Sequence, residues 1–413
     1  MTPVRNALAG LTGLLGGMSL ALALTIAPAF AQDPATAPIT DLPRNETLTN
    51  LLIRREDGEA VDKKAMASEM DKAVAEVVKK QIECGIDIGN DGEQQRVAFQ
   101  TYMAQRMTGY GGESRRKVGK DFAEFPELVA GFLRRFPTRS KISNGPQAVA
   151  EISYPSTAEI DEELARVKKQ AGNSFSELFM TAPSPGIVST TLLNAYYDSQ
   201  ESYLKALARE ISKEYRAIVD AGFILQVDAP DLAMDRVMFY QDEDEKGFLK
   251  ACELHTQAIN WALEGIPAEK VRLHVCWGNW EGPHIYDVAL ASILPIIYQA
   301  KAGALTIEFS NPRHQHEYAA FKKHPMPGNM ILIPGVVDST SNFVEHPELV
   351  AQRIEQAVQA AGDRERVIAS TDCGFGTFTG REWVVPSVVW LKLKSLREGA
   401  DLASQRLWGK SAA

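Results

Sequence analysis

The sequence contains few cysteines, and this scarcity excludes one class of protein. Only four occur in 413 residues: Cys84, Cys252, Cys276 and Cys373. Four widely spaced cysteines are too few for the disulfide framework of a small secreted domain. The chain also lacks a long basic run, and its net charge of -9 argues against a nucleic-acid-binding surface. Neither a Walker A pattern nor a G-x-G-x-x-G between a strand and a helix is present, so no nucleotide cofactor is predicted.

What remains is an ordinary globular composition, 45% hydrophobic and 23% charged. A four-part unit repeats along the chain: a helix, a glycine, a short apolar strand and a polar cluster. The strand candidates are 86–89, 148–153, 178–181, 223–228, 271–276, 304–308, 331–334 and 367–373. Alternating helices and buried strands predict a parallel sheet with crossover helices. The number of units favours a single (βα)8 TIM-type barrel of the α/β class.

The same pattern predicts how the domain is bounded. Residues 32–413 form one barrel domain, in which the Pro/Ala/Thr-rich residues 32–40 are interpreted as a linker. Residues 101–146, first rich in Gly, Tyr and Arg and then in Phe, Pro and Arg, are predicted to be an insertion. Eight or nine strand candidates can be counted, so one of them is expected to lie outside the barrel.

The first 31 residues are typical of a signal peptide. Arg5 is the only charged residue before Asp33, and an apolar stretch ends in the A-x-A-like Ala29-Phe30-Ala31. An uncleaved membrane anchor is the alternative, because the stretch is long enough to span a bilayer. The interpretation predicts an exported, periplasmic protein without stable membrane association after cleavage. A cytoplasmic protein with a misassigned start is the alternative, and it suits a site built from reduced thiols.

Candidate metal ligands stand at the carboxyl ends of the predicted strands, where barrels of this type carry their active sites. His274 and Cys276 lie two residues apart on one strand, so their side chains point to the same face. Glu308 ends a second strand and Cys373 ends a third. Their nitrogen, sulfur and oxygen donors are suited to Zn²⁺. The alternative is that each is an ordinary buried residue, which is less plausible for four donors together than for any one alone.

These residues resemble the cobalamin-independent methionine synthase family, specifically its C-terminal catalytic barrel. The resemblance covers roughly residues 39–410, and its segments are Gly85–Glu93, Leu225–Pro230, Leu273–Cys276, Leu305–Glu308 and Thr371–Gly374. It implies that His274, Cys276, Glu308 and Cys373 bind zinc. It further implies that the zinc presents a substrate thiol, homocysteine in the synthases, to a methyl donor. Glu93 and Asp228 match the carboxylates that hold the substrate ammonium group.

The chain departs from the family pattern in three places. It has no room for the second, N-terminal barrel of synthases that use methyltetrahydrofolate. The family's proton-donating histidine is replaced by Thr340, and Thr40-Asp41 stand where the first strand of the family ends in Gly-Ser. A threonine is a poor proton donor at neutral pH.

Other residues near the strand ends could donate the proton that Thr340 cannot, or bind the substrate. His314 and His316 follow the Glu308 strand, and we take His316 as the candidate proton donor. Asp338 follows another strand and is the second candidate catalytic residue, while Arg313 could bind a substrate carboxylate or sulfonate. The tryptophans Trp277, Trp280, Trp383 and Trp390 are expected to serve packing. Trp277 is the one that could instead belong to the site, because it directly follows Cys276.

The sequence therefore predicts a zinc-dependent enzyme that alkylates a small-molecule thiol, most directly by methyl transfer to homocysteine or a similar thiol. One alternative is thiolate addition to an epoxide, as in the single-barrel epoxyalkane:coenzyme M transferases. Another is an exported zinc-binding protein without catalysis. The expected partners are a thiol and an alkyl donor, with no nucleic acid. The sequence does not choose the donor or the thiol.

Overall fold

The computed structural model describes residues 35–38, 41–137, 140 and 145–409. The predicted signal peptide, residues 1–31, lies outside them. Seven parallel strands form one curved sheet in the order β1-β4-β5-β6-β7-β8-β9. The strands are β1 (Ile88–Gly89), β4 (Glu177–Pro183), β5 (Ile224–Asp228), β6 (Val271–Val275), β7 (Ala304–Glu308), β8 (Ile331–Val337) and β9 (Ser370–Thr371). The predicted α/β barrel architecture is therefore confirmed, with helices between successive strands.

An eighth segment, residues 35–38, closes the sheet between β9 and β1. Thr36 pairs in parallel with Ala369, and its carbonyl accepts hydrogen bonds from the backbone N–H groups of Asp87 and Ile88. Ala37 is fully buried. The interpretation of residues 32–40 as a linker is therefore wrong for the described part. Three residues between two prolines are too short to show the alternating pattern that identifies a strand.

Helices cover the outside of the barrel, and several begin at side chains that accept backbone N–H groups. Asp62 and Asp244 are N-caps of this kind. The α-helices of the described residues are α1 (Glu46–Glu56), α2 (Lys63–Glu83), α3 (Met103–Arg106), α4 (Lys120–Glu124), α5 (Pro126–Arg135), α6 (Ala158–Ala171), α7 (Pro185–Thr191), α8 (Gln200–Asp220), α9 (Asp235–Met238), α10 (Glu245–Ala262), α11 (Leu290–Ile297), α12 (Ala320–Lys323), α13 (Pro347–Ala361) and α14 (Pro386–Trp408). Four short 3₁₀ helices span Pro230–Leu232, Ala268–Lys270, Gln315–Ala319 and Arg364–Arg366. Among these described helices, none is both long and apolar enough to cross a membrane.

The predicted insertion is present and extends further than residues 101–146. Between β1 and β4 the chain forms α3, α4, α5 and a two-stranded antiparallel ladder of β2 (Thr108–Gly111) with β3 (Gln147–Ser153). The candidate strand at 148–153 is thus the one outside the barrel sheet. Its Ala148 and Ile152 are buried, Val149 is exposed, and the strand packs against α8.

A buried network of ion pairs joins the start of the insertion to α6 and α8. Arg96 and Arg106 both contact Glu163, and Arg106 donates a hydrogen bond of 3.0 Å to Glu214. The Tyr102 ring lies between the two guanidinium groups, 4.5 and 4.4 Å from its centroid. Because each charged side chain faces an opposite charge, removing one of them would leave an unpaired buried charge. The network fixes the chain immediately after the end of β1.

Candidate metal centre

Three predicted metal ligands converge at the carboxyl ends of the strands. His274 lies on β6, Cys276 follows that strand directly, and Cys373 follows β9. One ligand atom of each residue lies within 4.8 Å of the other two, and all three residues are buried. Both cysteines are free thiols. A histidine nitrogen and two sulfurs at this separation are a donor set suited to zinc.

The two nitrogens of His274 have different surroundings. Nδ1 lies 2.8 Å from the Asp228 carboxylate, which also accepts a hydrogen bond of 2.8 Å from Gln226. Nε2 is buried and has no hydrogen-bond partner among the described residues. Buried polar atoms are nearly always paired, so this nitrogen requires an explanation. A carboxylate on one nitrogen and a vacant second nitrogen is the arrangement of a metal-binding histidine.

The two thiols differ in acidity because they contact each other. The hydrogen bond from Cys373 and the charge of His274 outweigh burial and lower the pKa of Cys276 to about 6. The pKa of Cys373 is raised by the same hydrogen bond and by burial. Although burial opposes it, the charge of Cys276 and the hydrogen bond to Asp228 raise the pKa of His274 to about 10. The lowered pKa favours the thiolate form of Cys276, which is the form that binds a cation.

The fourth predicted ligand, Glu308, reaches the site but is engaged elsewhere. Its Oε1 accepts the backbone N–H of Trp277 at 2.8 Å. Its Oε2 accepts from Asn311 at 2.7 Å and from Arg313 at 3.0 Å. Glu308 is not part of the close three-residue group. Arg313, predicted to bind a substrate anion, thus neutralises Glu308 instead.

A third carboxylate, Asp372, organises this edge of the barrel. It accepts backbone N–H groups of Phe309, Ser310 and Asn311 at 2.8–3.0 Å. Burial, followed by the charges of Glu308 and Asp338, raises the pKa of Asp372 to about 7. The contacts tie the loop after β7 to the residue beside Cys373. The sequence showed Asp372 at a strand end but gave no indication of this role.

Two further carboxyl groups face each other beside the metal-site residues. Glu93 accepts a hydrogen bond of 2.5 Å from Thr181, and its carboxyl interacts with that of Asp41. Burial, then the charge of Glu93, raises the pKa of Asp41 well above its usual value. Both residues have positive φ, 62° for Asp41 and 50° for Glu93. Such backbone strain in residues other than glycine is concentrated at functional sites.

A cavity of about 350 Å³ opens above the three metal-site residues. His274, Cys276 and Cys373 line its floor together with Asp41 and Asp228. Its walls are mostly aromatic and aliphatic, and many come from the insertion. A small-molecule site typically has this form, with an apolar enclosure around a few polar groups.

Comparison with known proteins places this site in a family. The family model described as "Cobalamin-independent synthase, Catalytic domain" matches residues 186–393. This chain belongs to that family. The matched region contains His274, Cys276, Glu308 and Cys373. The family is one of methyl- and alkyl-transferring enzymes, so the predicted enzyme class is confirmed at that level.

Individual relatives in the family differ in the reaction that their names state. The chain is 26% identical over 331 residues to the 2-hydroxypropyl-CoM lyase of Xanthobacter autotrophicus, covering 74% of this chain and 79% of that protein. It is 25% identical over 377 residues to a methionine synthase of Thermococcus kodakarensis, covering 90% and 94%. The fold matches a B12-independent methionine synthase from Shewanella sp. W3-18-1 in complex with selenomethionine. That match has a TM-score of 0.65 at 19% identity and covers 92% and 100% of the two chains.

Two residues predicted as catalytic are not brought to the cavity. His316 is exposed on the 3₁₀ helix Gln315–Ala319, and Asp338 accepts hydrogen bonds from Thr340 within its own loop. His314 is buried, but it is held by Asp287 and Glu317 and is not part of the cavity lining. Sequence order after the Glu308 strand could not show that the 3₁₀ helix turns His316 outward.

The prediction that the tryptophans serve packing needs correction for two of them. Trp277 is fully buried and stacks on His314 at 3.9 Å, as expected of a packing residue. Trp280 and Trp383, however, line the cavity. Both lie in loops at the carboxyl edge of the barrel, and only the folded insertion brings other aromatic residues against them.

Proposed function

We propose that this protein is a zinc-dependent thiol alkyltransferase, with methyl transfer to homocysteine or a similar thiol as the leading reaction. The observation that carries the proposal is the vacant Nε2 of His274 beside two buried cysteine thiols, at the floor of a cavity. His274, Cys276 and Cys373 would hold the metal, with Glu308 as the fourth ligand. Displacement of Glu308 by a substrate thiol would leave three protein ligands and one coordination position for that thiol.

Bound zinc would hold the substrate thiol at neutral pH as its thiolate, which is the nucleophilic form. The remaining work is done by the chain itself. Asp228 fixes the ring of His274 through Nδ1. Asn311 and Arg313 hold the carboxylate of Glu308 through hydrogen bonds. Glu93 and Asp228 supply negative charge beside the thiol position, which suits an ammonium group. The largely apolar cavity walls would reduce contact between the nucleophile and water.

Thiolate addition to an epoxide is the second candidate, and one observation favours it. Methyl transfer from a tertiary amine needs a proton on the leaving nitrogen, and Thr340 stands at the family's histidine position. Neither His314 nor His316 lines the cavity to replace it. An epoxide keeps its oxygen on the product and can take the proton from water. The relative named 2-hydroxypropyl-CoM lyase is consistent with this candidate.

The test starts from protein made without residues 1–31, which we propose direct the chain for export. Metal content is measured for this protein and for Cys373→Ser. About one zinc per chain, lost in the variant, is expected. The cobalt-substituted protein should then change its absorption spectrum when homocysteine or another thiol is added. Bound metal without any thiol response would favour an exported zinc-binding protein, and no bound metal would refute the proposal.

A further inference from the structure

The insertion contributes an apolar chamber directly above the metal-site residues. Helices α4 and α5 contribute Phe122, Val129 and Phe132, and the chain just beyond α5 contributes Phe136. Trp280 and Trp383, from loops of the barrel, complete these walls. These six residues are called the apolar chamber below. Because Cys276 and Cys373 line the same cavity, a molecule in the chamber would lie against the nucleophile.

The chamber is a packed structure rather than a loose gap. Ring centroids of Phe132 and Phe136 lie 4.8 and 4.9 Å from that of Trp383. Phe122 lies 5.3 Å from Trp280. Aromatic pairs at these distances stabilise each other beyond the area that they bury. The insertion is therefore docked on the barrel through the same rings that form the chamber.

Trp280 depends on a glycine beside a metal ligand. Gly278, two residues after Cys276, has a φ of 109°, and a Cβ there would lie 1.7 Å from the Trp280 ring. No other residue could place the indole so close to the backbone. His284 stacks on the other side of the ring at 4.1 Å. The loop after β6 thus carries both a metal ligand and a chamber wall.

Three basic side chains, Arg116, Lys117 and Arg381, line the same cavity outside the apolar chamber. Lys117 forms an ion pair with Asp242, and Nη2 of Arg116 is buried without a hydrogen-bond partner among the described residues. Arg381 lies over the ring of Phe378, 5.6 Å from its centroid, and reaches the Ser140 carbonyl. The six residues of the apolar chamber themselves carry no charge, so the chamber suits an uncharged aromatic or alkyl group.

We propose that the chamber binds the electrophile of the reaction, an uncharged organic molecule with an aromatic or alkyl body. This inference rests on the proposed function, since it assumes a thiolate at the metal site. The cavity volume of about 350 Å³ lies at the small end of ligand pockets. The insertion is therefore the part of the chain that selects the electrophile.

With an apolar epoxide as the electrophile, each bond that forms is matched by a bond that breaks. The thiolate sulfur forms a bond to a ring carbon, and the bond from that carbon to oxygen breaks. The oxygen keeps the electron pair and takes one proton from water, so nothing leaves and no redox partner is needed. The alkyl or aryl body remains in the chamber throughout.

Binding of straight-chain 1,2-epoxyalkanes with three to eight carbons tests the proposal. Zinc-loaded protein without thiol is titrated with each compound, and tryptophan fluorescence reports on Trp280 and Trp383. Each added methylene should tighten binding about fourfold, the equivalent of about 0.8 kcal/mol per buried CH₂, until the chamber is full. Affinity that does not change with chain length, or no binding by the eight-carbon compound, would overturn the proposal.

Variants separate the chamber from general surface effects. Val129→Trp should fill the chamber and weaken binding of the eight-carbon epoxide at least tenfold while leaving the three-carbon compound little changed. Phe132→Ala should weaken all of the longer compounds. Leu391→Ala, which truncates a leucine that is 55% exposed on α14, should have no effect. Equal losses in Leu391→Ala and Val129→Trp would contradict the assignment.

The proposed function is measured separately in the same proteins. Zinc content and the spectral response of the cobalt protein to a thiol should be unchanged in Val129→Trp. If the wild type binds zinc and responds to a thiol but binds no epoxide, the thiol site stands and the chamber proposal is wrong. If zinc and thiol binding are absent in the wild type, the proposed function itself fails.

Discussion

Replacing Asp228 should weaken zinc binding even though its carboxylate is not a predicted metal ligand. The carboxylate lies 2.8 Å from Nδ1 of His274, and both side chains are about 5% exposed. Losing such a partner of a metal-binding histidine typically costs 10- to 100-fold in metal affinity. Asp228→Asn can keep an acceptor oxygen and loses only the charge, so about tenfold is expected. Asp228→Ala loses both and should cost about a hundredfold, or roughly 2.7 kcal/mol.

The assay is competition for zinc with a chelator of known affinity, in the absence of any thiol. The chain offers a matched control, because Asp231 lies 2.9 Å from Nδ1 of His255 in a second buried pair. Asp231→Asn disturbs a pair of the same geometry whose histidine is outside the metal cluster. Its zinc affinity should equal that of the wild type. Equal affinities for Asp228→Asn and the wild type, or equal losses in both variants, would refute the role assigned to Asp228.

Three other predictions concern stability. Because burial and Glu93 raise the pKa of Asp41 in the folded protein, native stability falls as the pH rises from about 4. Asp41→Asn should therefore raise the melting temperature at pH 7 and not near pH 4; an equal gain at both would contradict this. Glu214→Gln leaves the buried Arg96 and Arg106 to share the single buried counter-charge of Glu163 and should cost roughly 3–5 kcal/mol in a denaturant titration. A loss below about 1 kcal/mol would show that the network is dispensable. Removing residues 1–31 should leave the melting temperature unchanged, whereas removing 1–38 deletes the closing segment and should lower it; equal melting temperatures would show that closure contributes little.

The barrel could be predicted because each of its repeating units has a pattern that lies within a short stretch of sequence. A helix, a stop glycine and an apolar strand recur in the sequence, and each unit is recognisable without its neighbours. Residues 35–38 could not be identified in this way. Their strand character comes from pairing with Ala369 and Asp87, which are distant in sequence.

The metal-site residues were predictable for a related reason. Parallel strands end at one edge of a barrel, so His274, Cys276 and Cys373 had to come close to each other once their strands were identified. The actual partners of Glu308 and the outward position of His316 depend on loop conformations that follow the strands. The apolar chamber depends on packing between the insertion and loops about 150 to 250 residues further along the chain. No periodicity in the sequence encodes such contacts.

The departures from the family pattern are not distributed evenly around the site. His274, both cysteines and the carboxylate that contacts the histidine are brought together. In the proposed function these groups bind the metal and the thiol. Of the changed positions, Asp41 lines the cavity, as aromatic residues of the insertion do, whereas Thr340 is not part of the lining. A lapsed enzyme would be expected to lose thiol-binding and donor-binding groups alike. Retention of the residues proposed for the thiol, together with the changes elsewhere in the cavity, therefore favours an active thiol alkyltransferase over a zinc-binding protein without catalysis.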